Sequence, residues 1–372
     1  FRQWPGGTYK SRSASDSDGT SPEPVWVNLA LTIDADKGHL TFDYTDNIEQ
    51  VDFINCTYAV MYSSTMTPLR WCLPPEIPIN QGLLNCITLK TKPGTICHVT
   101  YPGTCGGHAN AIAGQVLECV QLALAQAIPK DVPAAWTRHQ SPGIGGRHPF
   151  MADPATGKRV YYWTFGHFCG DGSSGAIWGY DGWDALLQGT ASGAITRASM
   201  EVSEQITPWR FIECEWWADS AGDGLFRGGI GSKAKYVNLH PAEGFKSGDI
   251  EVQTGTCNGE KFPSFGLLGG TDGKLVRFWI ERKGELIPLH TMDLVLLEPG
   301  DAIISLVGGG GGVGDPIDRE VEKVRMDALD EYISLENARE TYGVIIIPET
   351  FEVDYEATAR LREKRSTENA LR

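Results

Sequence analysis

The sequence holds no apolar run near the roughly 18 residues that a membrane-crossing helix needs. Its longest candidate, Val116 to Ile128, is broken by Glu118, Gln121 and Gln126. It has no basic cluster to offset an acidic balance of 32 Lys+Arg against 47 Asp+Glu, net charge −15. A surface of that sign is repelled by nucleic-acid phosphates and by anionic lipid, so neither partner is expected. It contains no CxxC pair, and its nine cysteines are an odd number. That usage reads as free thiols in a reducing compartment, hence the cytoplasm. No secretory leader is expected, and no repeat of solenoid or propeller period runs through the sequence. The first residue is Phe1 rather than Met, so the expectation is an N-terminus lying upstream.

What is present is the composition of a packed globular protein. Apolar residues make up 41% and aromatic residues 10% of the 372 positions, enough for one large domain or about two. Gly 44 and Pro 21 are spread along the chain, which implies many turns between short elements and a β-rich α+β architecture. Three portions are expected: 1–150, 151–307 and 308–372. In the first, residues 8–24 read as a loop, and Val25–Ile33 and Leu40–Tyr44 as a hairpin about Asp34-Ala35-Asp36-Lys37-Gly38. Ile112, Val116, Val120 and Leu124 recur at helical spacing from about Ala109 to Ala127, where Pro129 stops the helix. Strands are expected at Val160–Phe165, Arg210–Trp217, Lys235–Leu239, Leu275–Glu281 and Ala302–Leu306. A helix over Pro316–Glu340, a strand at Val344–Ile347 and a charged helix capped by Asp354 complete the chain.

Several constellations could carry chemistry. Gly308 to Gly312, with Val313 and Gly314, follows an expected strand, and Gly309, Gly311 and Gly314 fit GxGxxG. Such a loop lets backbone N–H groups approach an anion. Asp315-Pro316 at the following helix start opposes phosphate and removes a donor. A nucleotide loop, a substrate-facing loop and a plain tight turn therefore stay open. Cys97, His98, Cys105 and His108 lie within twelve positions and are ligand types that zinc takes. Adjacent Cys97 and His98 would diverge on a strand, and buried thiols are the alternative. Tyr161 to Asp184 interleaves aromatics and glycines with His167, Asp171, Asp181 and Asp184, which suits either a pocket for a cyclic ligand or an aromatic core patch. Glu201 and Glu204 share a face if helical, and can hold a proton or a cation between them unless both simply face solvent. Asp219 to Gly229 brings acids, glycines and Arg227 together. The arginine fork either holds an anion or ties down its own loop.

Taken in order, these pieces resemble one family: hydantoinase B, the 5-oxoprolinase C-terminal region and the large subunits of acetone and acetophenone carboxylases. The resemblance is carried by Pro5-Gly6-Gly7-Thr8-Tyr9 with Asp16-Ser17-Asp18-Gly19, Phe53-Ile54-Asn55, Ile77 to Gly82 with Pro93-Gly94-Thr95, and Glu201-x-x-Glu204-x-x-x-Pro208. It continues through Asp219-Ser220-Ala221-Gly222-x-Gly224-x-Phe226-Arg227-Gly228-Gly229-x-Gly231, Gly314-Asp315-Pro316, Tyr342-Gly343-Val344, Val353-Asp354 and Ala357-Thr358. It departs where Ala198, Ser199 and Met200 replace the family's Asn-x-Pro. Members also carry an upstream His/Asp-rich stretch resembling a metal site, so this chain looks like the C-terminal part of such a subunit, with any divalent metal liganded outside it.

The resemblance implies a complex in which a hydantoinase A-like partner uses ATP to phosphorylate a carbonyl oxygen. The hydantoinase B-type subunit then handles the activated species, by carboxylation of a ketone or by opening of a cyclic amide. The aromatic Tyr161–Trp183 segment inclines the expectation to the ketone. An N-terminal fragment of the same subunit is a further expected partner, and a purely structural subunit is the other reading. The expected site is His167, Asp171, Glu201 and Glu204 as catalytic groups, with Asp219, Arg227, Gly309 and Gly311 against the substrate. Cys97, Cys105 and His108 are the metal candidates.

Overall fold

The computed structural model describes residues 1–106, 111–138, 142–164, 172–186, 189, 199–254 and 258–370. His108, His167 and Asp171 lie outside the described residues. The architecture is α+β. The first sheet is ordered β1 (Gly7–Ser15), β2 (Val25–Asp34), β3 (His39–Asp43) and β4 (Ile87–Lys90). The first three strands are antiparallel and β4 joins β3 in parallel. Alternation along β2 turns Val25, Val27, Leu29, Leu31 and Ile33 inward, as a one-sided sheet requires. Helix α1 (Tyr58–Trp71), the single turn α2 (Gln81–Leu84) and helix α3 (Ile112–Ala127) follow the strands in two stretches of chain. Met61 of α1 and Val116, Val120 and Leu124 of α3 close the core over Leu31 and Phe42.

The expected hairpin and α3 are both present, but residues 8–24 are not simply a loop. Its first part, up to Ser15, is β1, whose Ser13, Ala14 and Ser15 are buried. The polar strand is satisfied from beneath: Ser13 Oγ donates to Glu118 of α3 at 2.5 Å, and Arg138 Nε donates to the same carboxylate at 2.7 Å.

Two further sheets face each other. One is ordered β12 (Leu294–Leu296), β9 (Ile250–Gln253), β5 (Gly143–Ala152), β6 (Arg159–Thr164). The other is ordered β11 (Glu285–Leu289), β10 (Arg277–Arg282), β13 (Ala302–Val307), β8 (Gly231–Asn238), β7 (Trp209–Trp217). Their inner faces share a core of Ile144, Val252, Trp209, Tyr236, Phe278 and Ile303, in the manner of a sandwich. Trp209 Nε1 donates to the Tyr162 hydroxyl across it at 3.1 Å. A short helix, α4 (Met200–Ile206), precedes β7. Residue 150 falls inside β5, and the cut at 307 coincides with the end of β13. Cys214 on β7 is disulfide-bonded, against the expectation of free thiols throughout. Cys72, Cys86, Cys97 and Cys119 do carry free thiols.

The C-terminal portion is more broken than the expected single helix over 316–340. A 3-10 turn at Pro316–Asp318 leads to α5 (Val321–Leu329) and α6 (Leu335–Glu340). The break comes where Glu331 takes φ 59°, and Ser334 then caps α6. Val344–Ile347 forms no ladder, only the bridge from Ile346 to Val353. The last helix, α7 (Tyr355–Ala370), starts as expected, with Ala357 N donating to Asp354 Oδ1 at 2.9 Å. Among the described residues no helix is long and apolar enough to cross a membrane.

Candidate functional site

The glycine run is not a surface loop. Gly308 to Gly312 are all buried and thread between other stretches of backbone. Gly309 N donates to Ser220 O, Gly310 N to Gly229 O, Gly311 N to Ala135 O and Gly312 N to Thr271 O, each at 2.9 to 3.0 Å. In return Gly222 N and Ala176 N donate to the carbonyls of Gly310 and Gly311. None of these five glycines has positive φ, so glycine is needed here for space alone. A Cβ on Gly308 would sit 1.8 Å from Lys274 O, and one on Gly311 would sit 1.9 Å from Phe265 O. Gly309 and Gly311 pack backbone against backbone.

Beside this bundle lies a buried set of charges. Arg319, 1% exposed, grips Asp181 with both terminal nitrogens at 2.7 and 2.9 Å and donates from Nε to Asp327 at 3.0 Å. Arg227, 4% exposed, donates from Nη1 to its neighbour Gly228 O. Its Nε stands 3.4 Å from Asp327 and its Nη1 stands 3.8 Å from Asp184. The guanidinium lies over the Tyr332 ring, 4.8 Å from the centroid. Burial pushes Asp181 up, but the Arg319 fork outweighs it and holds the carboxyl below its usual range. Burial dominates at Asp184 and pushes it up. Arg227 is thus surrounded by carboxylates of its own chain, yet its buried Nε makes no hydrogen bond. Asp219 has a structural use as well. It sits in the left-handed region at φ 59°, and its carboxylate accepts from Ser334 N at 2.8 Å, pinning the start of α6.

Glu201 and Glu204 do share the helix α4, but both are exposed. Glu201 is held below its usual range by its own N–H and the Ser199 hydroxyl. Glu204 accepts from Phe211 N at 2.7 Å and so fastens α4 to β7. Among the described residues no contact joins either to the buried Arg227. Cys97 is buried in the first sheet's core, where desolvation pushes its thiol far up, while His98 turns away to Thr91 at 2.8 Å. Cys105 is half-buried. Among the described residues no three His, Cys, Asp or Glu side chains converge on a point where a metal could sit. In the aromatic segment, Trp178, Tyr180 and Trp183 stand exposed about a tight turn, and among its described aromatic residues only Tyr162 enters the core.

Two of the openings among the described residues had no signal in the sequence pattern. A cleft of about 390 Å³ separates the loop at Ser17–Pro22 from Glu260, Lys261 and His290. Next to Ser17 in the chain, the buried Asp16 accepts from Glu260 N at 2.8 Å and Lys261 N at 3.2 Å; burial raises its pKa despite those bonds. Glu260 holds His290 Nδ1 at 2.6 Å. The carboxylate raises the pKa of the imidazole, and the imidazole outweighs burial in lowering that of Glu260. Glu260 and His290 are thirty residues apart and share no motif, so spacing gave no signal. The larger opening, about 830 Å³, lies against the first sheet, with Lys10, Arg12, Asp43 and Asp46 among its walls and Leu29, Leu122 and Leu267 among its apolar lining. That size suits a small organic ligand.

The profile of the hydantoinase B/oxoprolinase family matches residues 1–316. The chain belongs to this family. The beta subunit of caprolactamase from Pseudomonas jessenii is 25% identical over 354 residues, covering 93% of this chain and 58% of that protein. The crystal structure of the ATP-dependent caprolactamase from that organism superposes with a TM-score of 0.80 at 25% identity, over 97% of this chain and 61% of that one. A Pseudomonas protein put forward as the B component of a D-/L-hydantoinase is 28% identical over 97% of this chain and 59% of its own length. Acetone carboxylase shares the fold at a TM-score of 0.78 but only 18% identity, over 99% of this chain and 54% of that one. The chain thus spans less than two thirds of the relatives it matches.

Proposed function

We propose that this chain is the hydantoinase B-type component of an ATP-dependent complex that opens a cyclic amide. The carrying observation is likeness along 93% of the chain to the beta subunit of caprolactamase, together with likeness along 97% to the hydantoinase component. The ketone expectation has weaker support: the carboxylase likeness is one of fold, and the exposed Trp178, Tyr180 and Trp183 frame no enclosed aromatic pocket. In this reading a hydantoinase A-like partner binds ATP and phosphorylates the amide oxygen, which makes a poor electrophile reactive. The part of this chain is then to position that species and limit stray water. His167, Asp171, Glu201 and Glu204 stay proposed as catalytic groups, and the two exposed glutamates would then need a partner surface against them.

The test is turnover of lactams, hydantoins and 5-oxoproline by the chain combined with its partner subunit and ATP, reading ring-opened product and ADP together. Product that requires both chains and ATP is expected. ADP release with bicarbonate-dependent uptake of a ketone, and no amide opening, would overturn the reading.

A further inference from the structure

Glu260 and His290 form a carboxylate–imidazole pair that stands between two openings. Besides the cleft of about 390 Å³ toward Ser17–Pro22, a second of about 360 Å³ lies against β10 and β11. Glu260, Lys261 and His290 wall both. Alternation along the two strands settles which side chains can face the second cleft. Phe278 and Ile280 of β10 and Leu289 of β11 are buried, so Arg277, Trp279 and Pro288 look outward. Trp279 is in register with Pro288. On that side the cleft is therefore lined by a guanidinium, an indole and a proline ring.

The carboxylate is tied at both oxygens. One accepts from His290 Nδ1 at 2.6 Å, the other from Thr291 N at 2.9 Å and the Thr291 hydroxyl at 3.3 Å. The Glu260 main chain is fixed too: its N–H donates to Asp16, and its carbonyl accepts from Arg277 Nη1 at 3.1 Å. An ionised carboxylate only accepts, so Nδ1 carries the hydrogen, and in the neutral ring Nε2 is left with a bare lone pair. Among the described residues nothing bonds to that nitrogen, and 65% of the side chain is exposed. Arg277 bonds through Nη1 alone, which leaves Nε and Nη2 as donors. A fixed tautomer with an open Nε2, on one cleft with a guanidinium and an apolar wall, has the parts of a general base and an oxyanion donor.

We propose that Glu260 and His290 activate water for the hydrolysis of small carboxylic esters whose aromatic or apolar acyl part rests on Trp279 and Pro288. His290 Nε2 takes a proton from water as the water oxygen bonds to the carbonyl carbon. The negative charge that gathers on the carbonyl oxygen meets Arg277. The intermediate then collapses. Its bond to the alcohol oxygen breaks, the proton passes from Nε2 to that oxygen, and acid and alcohol leave with the pair restored. An alcohol or phenol departs more readily than an amine, which keeps the step within reach of one base in a site open to water. The reaction needs neither ATP nor a second chain, so it stands apart from the ring opening proposed above.

The whole chain without ATP tests this on 4-nitrophenyl benzoate and 4-nitrophenyl acetate, with the buffer rate subtracted at each pH. Saturable release of nitrophenol is expected, with the lower KM for the benzoate. The charged groups about the imidazole are Glu260, Lys261, Arg277 and Asp293, with Asp16 and Asp18 on the chain across the first cleft. Glu260 raises the imidazole pKa, so kcat/KM should climb with pH through a midpoint above the 6.5 of an ordinary histidine. Glu260→Gln is expected to move that midpoint down. His290→Gln is expected to lower kcat/KM about tenfold or more, and Trp279→Ala to raise KM for the benzoate with little change in kcat. Circular dichroism shows whether each variant is folded, and the pH profile of the parent decides where one is not. A parent profile flat from about pH 5 to 9, release that does not saturate, an unmoved midpoint in folded Glu260→Gln or unchanged kcat/KM in folded His290→Gln overturns the site. A burst of one nitrophenol per chain overturns it too, since water would not then be the nucleophile.

Discussion

Gly311 and Gly114 show how differently one residue type is used. Gly114 lies in α3, where an added Cβ would have nothing within 4 Å of it, whereas a Cβ at Gly311 would meet Phe265 O at 1.9 Å. Gly114→Ala is expected to leave stability unchanged or raise it by up to about 1 kcal/mol through helix propensity. Gly311→Ala is expected to cost about 3 kcal/mol or more, because backbone cannot move aside as a side chain tip can. Urea unfolding of the two variants checks both. Asp223 offers a titration test. Burial raises its pKa, and Asn337 donates to it at 2.9 Å. With the folded pKa above the unfolded one, the native state keeps its proton longer. Stability from this group is therefore full below about pH 4 and falls as pH rises through the folded value. Asp223→Asn keeps the acceptor and removes the charge. It is expected to melt higher than the parent at pH 8, with the difference vanishing near pH 4.

At the scale of elements, the C-terminal helices depend on contacts made far away in sequence. Asp219 holds the start of α6 while itself in a left-handed conformation. Asp219→Ala should lose both the acceptor and the tolerance for that conformation, at about 1–2 kcal/mol, and Asp219→Asn much less. Thermal melts compare them. Arg319→Met would leave Asp181 and Asp327 buried without their cation, at about 3–5 kcal/mol. Hydrogen exchange in α5 and α6 should then speed up more than in β2. These long-range ties explain which elements could be read from sequence. The β2–β3 hairpin, α3 and the start of α7 announce themselves through apolar period or capping residues. Helix α1 has the period too, at Met61, Ser64, Thr65, Pro68 and Leu69, but small polar residues carry it and Pro68 argues against it. Strand β1 is hidden because it buries two serines about Ala14, Ser13 pairing with Glu118 and Arg138 and Ser15 with Asn258. The broken helix beyond Pro316 depends on Asp219, about a hundred residues earlier.

For the molecule as a whole, the family could be read from scattered motifs, whereas a motif alone does not place its residues against a substrate. Asp219, Arg227 and the glycine run are the most distinctive features of the sequence because the fold needs them, and a motif does not show whether its demand comes from a substrate or from a crowded interior. The glycine bundle carries that point furthest. A core of side chains can be revised a methyl at a time, since each loss or gain of volume has a compensating change next door. Where main chain lies directly on main chain there is nothing smaller to retreat to and no neighbour to trim. A saturation library of this protein should therefore show, through the middle of its sequence map, a band of positions at which every replacement is lost, flanked by helices that accept many.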